Sequence, residues 1–188
     1  MAQAGHLWLY FLMVFGVIVL PGMDMAFVLA SALSGGRRAG AFAVAGIVFG
    51  GLCHTAAGAL GFGLVFKLVP GLINAMLSIG ALYIAWIGCS LLRAQPAAEA
   101  VATESLALPA SPAAMAALPP WATFRRAALT CLMNPKAYLF MFAIFPQFLR
   151  VEYGPVWMQA LALAAITAAT QIAVYGGLAF AAGSAQHW

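Results

Sequence analysis

From Leu7 to Leu33 the chain is apolar but for one charge, Asp24, in the pentapeptide Leu20-Pro21-Gly22-Met23-Asp24. A run of that length predicts a helix crossing a hydrocarbon core, which takes about 20 residues. The pentapeptide then conflicts with its surroundings. An Asp at the centre of a membrane helix costs about 2.5–3.5 kcal/mol on insertion scales. Pro removes a backbone donor and crowds the preceding turn. In lipid such a break persists only where protein or a water-lined cavity satisfies the freed groups. The pentapeptide therefore predicts a cavity in mid-membrane.

The remaining composition agrees with a membrane setting. Soluble domains carry about 25% charged residues. Here 6% of 188 residues are charged, 65% are hydrophobic, and the mean hydropathy is +1.02. Such a chain could not cover a surface facing water. The expected fold class is an all-α polytopic membrane protein, because the apolar runs exceed the roughly ten-residue alternation of barrel strands. The net charge of +4 reads as a topology signal rather than a nucleic-acid footprint. Cys53, Cys89 and Cys131 are odd in number, fit no metal spacing, and read as small packing residues, so no metal and no cofactor is expected. No Lys or Arg precedes the first apolar run and Arg37-Arg38 follow it, the reverse of a cleaved signal.

Five spans are predicted: 7–32, 41–66, 72–92, 127–149 and 155–183. Residues 1–93 form a first three-helix unit, 94–123 an Ala/Pro-rich linker outside the membrane, and 124–188 a second unit of two helices. Arg37, Arg38, Arg93, Arg125 and Arg126 fall on one side, Lys67 and Arg150 on the other. The richer side is expected in the cytoplasm and the N-terminus outside. Trp8, Tyr10, Tyr153 and Trp157 are expected in an outer aromatic belt.

A second break mirrors the first. Asn134-Pro135-Lys136 sits well inside the fourth span and also carries one charge. Spans one and four enter from opposite sides, the plan of an inverted repeat whose broken helices meet near the midplane. Free amides at a half-helix N-terminus suit a carboxylate; freed carbonyls and an Asp suit an ammonium. A zwitterionic amino acid matches both. The bland alternative is an Asp24–Lys136 pair that only ties two spans together. Gly46, Gly50 and His54 share a helix face, with the glycines placed for close helix approach. His54 is then either a proton-responsive group at the cavity or a hydrogen-bonded packing residue. Thr167, Gln171 and Tyr175 share a face of the last span, as pathway groups or interhelical hydrogen-bond partners.

Pro21-Gly22-Met23-Asp24, Gly35-Gly36-Arg37-Arg38-Ala39-Gly40 and Gly46-x3-Gly50-x3-His54 resemble the first half of the LysE/RhtB family of amino-acid exporters. Phe124-Arg125-Arg126, Asn134-Pro135-Lys136-Ala137 and Phe145-Pro146-Gln147-Phe148 resemble the start of its second half. The resemblance implies proton-driven efflux of amino acids or their derivatives across the bacterial inner membrane. It implies that Pro21, Gly22, Asp24, Asn134, Pro135 and Lys136 line or shape the substrate path. Lysine, arginine, homoserine, threonine and leucine are the implied substrates. Two departures stand out. The family has a second Pro where Met23 stands, and its members have six spans against five here. A truncated chain is the expectation, with completion by a homo-oligomer the alternative. Two other classes remain open: a membrane-embedded enzyme using Asp24, His54 and Lys136, and a non-transporting scaffold.

Overall fold

A computed structural model of the chain describes residues 2–68, 78, 82 and 118–184. They form α1 (Ala2–Val19), α2 (Met23–Leu68), α3 (Pro120–Leu132), α4 (Pro135–Ala143) and α5 (Val156–Ser184), with 3-10 turns at Phe145–Phe148 and Val151–Tyr153. The described residues contain no strand. The protein is an all-α membrane protein. The predicted third span and the linker as far as residue 117 lie outside the described residues, apart from Ser78 and Leu82, which are helical.

Each break follows from its proline. The Leu20 amide still reaches Gly16 O at 3.3 Å, but Pro21 has no amide to continue the ladder, and α2 restarts with Ala26 N on Gly22 O at 2.9 Å. At the second break Asn134 is extended, at φ −73 and ψ 113, as a residue before proline prefers. Its Oδ1 accepts the Lys136 amide at 2.9 Å and caps α4. The axis bends by 54° between 120–132 and 135–148.

Gly36 divides α2. Its φ of 70 and ψ of −171 are open only to glycine. A Cβ on Gly40 would lie 3.0 Å from the Ala32 Cβ, whereas residues 32 and 40 of a continuous helix would be about 12 Å apart. The chain therefore folds back at Gly36. The expected basic loop has shrunk to this one residue, with helix on both sides.

Residues 37–68 form the central helix, and its glycines record what packs there. Gly46 abuts the Phe124 carbonyl and Ala127, Gly50 abuts Cys131, and Gly58 faces Met141 and Phe145, so α3 and α4 run alongside it in the same direction. Gly40 abuts Ala179 and Gly51 abuts Gln171, so α5 runs the opposite way. Small residues allow this closeness, and in lipid close packing and interhelical hydrogen bonds replace the hydrophobic drive. Position along α5 orders the rest. Tyr10 bonds Thr167, Gly40 meets Ala179, and Arg37 reaches Ser184. Thus α1 and 23–35 follow one another along α5 as two halves of one broken crossing.

By length and apolarity, 23–61 and Val156–Ser184 qualify as spans, and the bent α3–α4 pair makes a third. The reversal at Gly36 assigns 23–35 to the first crossing with α1 and leaves 37–61 as the second. Polar α5 residues Gln159, Thr167, Thr170 and Gln171 are buried while Leu161, Ile172 and Phe180 are exposed. That polarity is the reverse of a soluble bundle and suits an apolar solvent. Trp8 and Trp157 are exposed, as belt residues should be, but Tyr10 is fully buried. Its hydroxyl finds a partner inside the bundle, in Thr167, which outweighs the interface preference of tyrosine.

Candidate functional site

The two breaks open onto one cavity. It is lined by Val14, Val17 and Ile18 of α1; Asp24, Gly51 and His54 of α2; Cys131 of α3; Lys136, Ala137, Phe140 and Met141 of α4; and Thr167, Gln171 and Tyr175 of α5. The cavity is small, about 50 Å³. Asp24, His54, Lys136, Thr167, Gln171 and Tyr175 are thus brought together. Pro21, Gly22, Asn134 and Pro135 are not among the lining residues; they build the breaks that aim the others inward.

The ends of the broken helices are tied across the bundle. Lys136 Nζ donates to Leu20 O at 2.9 Å, so the ammonium of one break caps a carbonyl of the other. In an unbroken helix the residue 135 amide would bond the residue 131 carbonyl, and Pro135 cannot. The Asn134 amide takes part of that role at 3.1 Å, and His54 Nε2 the rest at 3.0 Å. A carbonyl only accepts, so Nε2 carries the proton. The ring meets Tyr138 edge-on, with centroids 4.8 Å apart. His54 is a hydrogen-bonded packing residue that also lines the cavity.

Asp24 lies in the first turn of α2, where the helix dipole favours an anion, and it shares the cavity lining with Cys131. Thr167 Oγ1 donates to Leu163 O at 2.9 Å and accepts the Tyr10 hydroxyl, also at 2.9 Å. Gln171 Oε1 is buried with no hydrogen-bond partner, and so is Asn134 Nδ2. The amide of Gln171 occupies the space that Gly51 leaves: a Cβ there would lie 2.8 Å from Oε1. The half-helix amides are less free than the sequence implied, because Asn134 already fills the cap of α4.

Two parts of the site escaped the sequence reading. Cys131, set aside as packing, lines the cavity with Asp24. The aliphatic and aromatic wall from α1 and α4 went unnoticed, although Val14, Val17 and Ile18, and again Ala137, Phe140 and Met141, repeat one helix-face spacing just beside each break.

The family model for the LysE type translocator matches residues 10–188. The chain belongs to the LysE type translocator family. It is similar to an uncharacterized membrane protein of Pseudomonas aeruginosa, 34% identical over 160 residues that cover 85% of this chain and 71% of the relative. It is also similar to an uncharacterized membrane protein of Vibrio cholerae, at 30% over 179 residues, 94% of this chain and 82% of the relative. A leucine efflux protein of Salmonella typhimurium is 29% identical over 145 residues, 77% of this chain. The matched part spans 63% of that relative's length. No solved structure matches the chain. A LysE type translocator with this cavity is a multi-pass membrane protein, and its two Pro breaks are where its charged lining begins.

Proposed function

We propose that this translocator exports amino acids or their derivatives across the bacterial inner membrane, in exchange for protons, with its N-terminus outside. The observation that carries the reading is the sharing of one cavity by Asp24 and Lys136, each from a different broken helix. In this reading residues 1–93 and 124–188 act as repeats joined by a linker over 94–123. The similarity to a leucine efflux protein supports amino acids as the substrate class.

The substrate ammonium binds at Asp24 and its carboxylate at Lys136. The cavity as it stands is small, about 50 Å³, so loading requires the α1 and 23–35 pair to rock against α3 and α4, opening one end and then the other. A proton arriving at Asp24 from outside removes the charge that holds the ammonium and so releases the substrate there. The groups that set the breaks, Pro21, Gly22, Asn134 and Pro135, act as fixed pivots. The test loads cells with amino acids and compares efflux by the chain and by its Asp24→Asn variant, with membrane insertion checked for both. Loss of most efflux in the variant is expected; unchanged efflux would overturn the assignment of Asp24.

A further inference from the structure

Two basic motifs lie apart from the cavity, Arg37-Arg38 and Phe124-Arg125-Arg126. The fold brings them to one end of the bundle. Arg37 and Arg38 open the helix that follows the reversal at Gly36. α3 starts at Pro120 and runs alongside that helix in the same direction, with Ala127 against Gly46. Arg37 is engaged on α5: its guanidinium lies 4.1 Å from the centre of the Phe180 ring and donates to the Ser184 hydroxyl at 2.8 Å. Arg38, Arg125 and Arg126 are exposed. The acidic side chains among the described residues lie elsewhere. Asp24 lines the cavity, and Glu152 sits before the start of α5, whose far end meets Arg37. α3 has no acid in its first turn.

Arg125 stands in a stripe that faces lipid. Trp121, Arg125, Leu129 and Met133 follow one another at intervals of four along α3 to its C-cap, and so share a face. Trp121 is 64% exposed, Leu129 54% and Met133 73%. Trp121 stacks on Phe124, with the rings 5.1 Å apart and 11° from parallel, and tryptophan favours the membrane interface. Arg125 lies one turn deeper, with the apolar part of the stripe beyond it. Long helical side chains lean toward the N-terminus of their own helix, here toward the end of the bundle. Arg125 and Arg126 thus extend back to the interface, toward the level of Arg38, as basic side chains do at a membrane edge.

We propose that Arg125 and Arg126, helped by Arg38, bind the headgroup phosphate of an anionic phospholipid whose acyl chains lie along Leu129 and Met133. The guanidinium suits this partner, because its planar fork holds two phosphate oxygens at once. Basic clusters at a membrane surface are drawn to anionic headgroups. Phosphatidylcholine also carries a phosphate, but its own quaternary ammonium neutralises the charge. Arginines with no carboxylate beside them among the described residues favour the lipid that stays anionic. This site is separate from the cavity and independent of what the translocator carries.

The test follows the unfolding temperature of the purified full chain in detergent micelles carrying phosphatidylglycerol or phosphatidylcholine with the same acyl chains. Phosphatidylglycerol should stabilise the chain at about tenfold lower lipid content or less. Arg125→Gln with Arg126→Gln should bring the two lipids within about threefold of each other. Arg125→Lys with Arg126→Lys keeps the charge but loses the fork, and should retain part of the preference. If the double glutamine variant does not fold, Arg38→Gln alone should still reduce the preference. Arg150→Gln, at the end of the bundle where α5 begins, should leave it unchanged. Equal affinity of the wild type for both lipids would overturn the proposal, as would an equal loss in Arg150→Gln. A full shift with glycerol 3-phosphate, which has no acyl chains, would overturn the assignment to a lipid. A preference that emerges only in Glu99→Gln with Glu104→Gln would give the arginines to those carboxylates instead.

Discussion

Gly46 is where the fold has the least room, and Gly46→Ala is a one-atom test of how the central helix is packed. A Cβ there would run into the Phe124 carbonyl, with the Ala127 Cβ at 2.7 Å and the Ala128 amide at 3.0 Å. Two of these three atoms are backbone of α3, which cannot swing aside like a side-chain tip. Overpacking of this kind costs about 1–3 kcal/mol. Alanine returns about 0.8–1.0 kcal/mol of helix propensity. The net expectation is a loss of up to about 2 kcal/mol. Gly176 is the internal control, since a Cβ there meets nothing within 4 Å. Gly176→Ala keeps the whole propensity gain, which both variants share, so the two should differ by the overpacking cost alone, about 1–3 kcal/mol. At about 2–4 °C per kcal/mol for a chain of this size, their unfolding temperatures in detergent should be about 2–12 °C apart. Equal temperatures would refute the close α2–α3 approach.

Two further outcomes follow from the same geometry. Gly51→Ala meets only the end of the Gln171 side chain, at 2.8–2.9 Å, so its unfolding temperature should stay close to wild type while amino-acid affinity falls as the amide is pushed from its place. His54→Phe removes one of two donors from the Cys131 carbonyl and should cost about 1–3 kcal/mol of stability in a thermal melt. His54→Gln, which keeps a donor, should recover part of it.

The breaks could be read from the sequence because they are chemical exceptions. A missing amide and a carboxylate each carry a fixed cost in lipid, so Pro21, Asp24 and Pro135 announced themselves. The polar faces were legible for a related reason: His54 with its glycines, and Thr167 with Gln171 and Tyr175, stand out at helical spacing against an apolar background. The apolar wall was not legible. In a membrane protein Val17 facing a cavity and Leu161 facing lipid obey the same preference, so composition cannot separate them. Tyr10 was read as an interface residue because its amphipathic ring suits that place, yet a partner hydroxyl at Thr167 draws it inside. The reversal at Gly36 was expected as a loop because Gly35, Arg37 and Arg38 look like one. A single positive φ is enough to turn the chain, and helix runs up to it from both sides. Asn134 was placed on the pathway, and nothing in its neighbours told that its oxygen would be taken by the Lys136 amide.

The two breaks also explain each other. Each proline frees a carbonyl, and each freed region is served by a side chain from elsewhere in the bundle. Lys136 reaches Leu20, and His54 reaches Cys131. Two carbonyls beside the charged groups are thus capped, in keeping with the condition for irregular backbone at membrane depth. Lys136 caps α1 through Leu20 O and, in the proposed function, also seats the substrate carboxylate.

The most direct test of that seat measures binding of leucine, of the carboxylate-free isopentylamine and of the ammonium-free 4-methylpentanoate to the wild type, Asp24→Asn and Lys136→Met. If Asp24 holds the ammonium, Asp24→Asn should weaken leucine and isopentylamine but leave 4-methylpentanoate unchanged. If Lys136 holds the carboxylate, Lys136→Met should weaken leucine and 4-methylpentanoate but leave isopentylamine unchanged. A uniform loss across all three ligands in both variants would contradict the account, reducing Asp24 and Lys136 to groups that hold the two broken helices together.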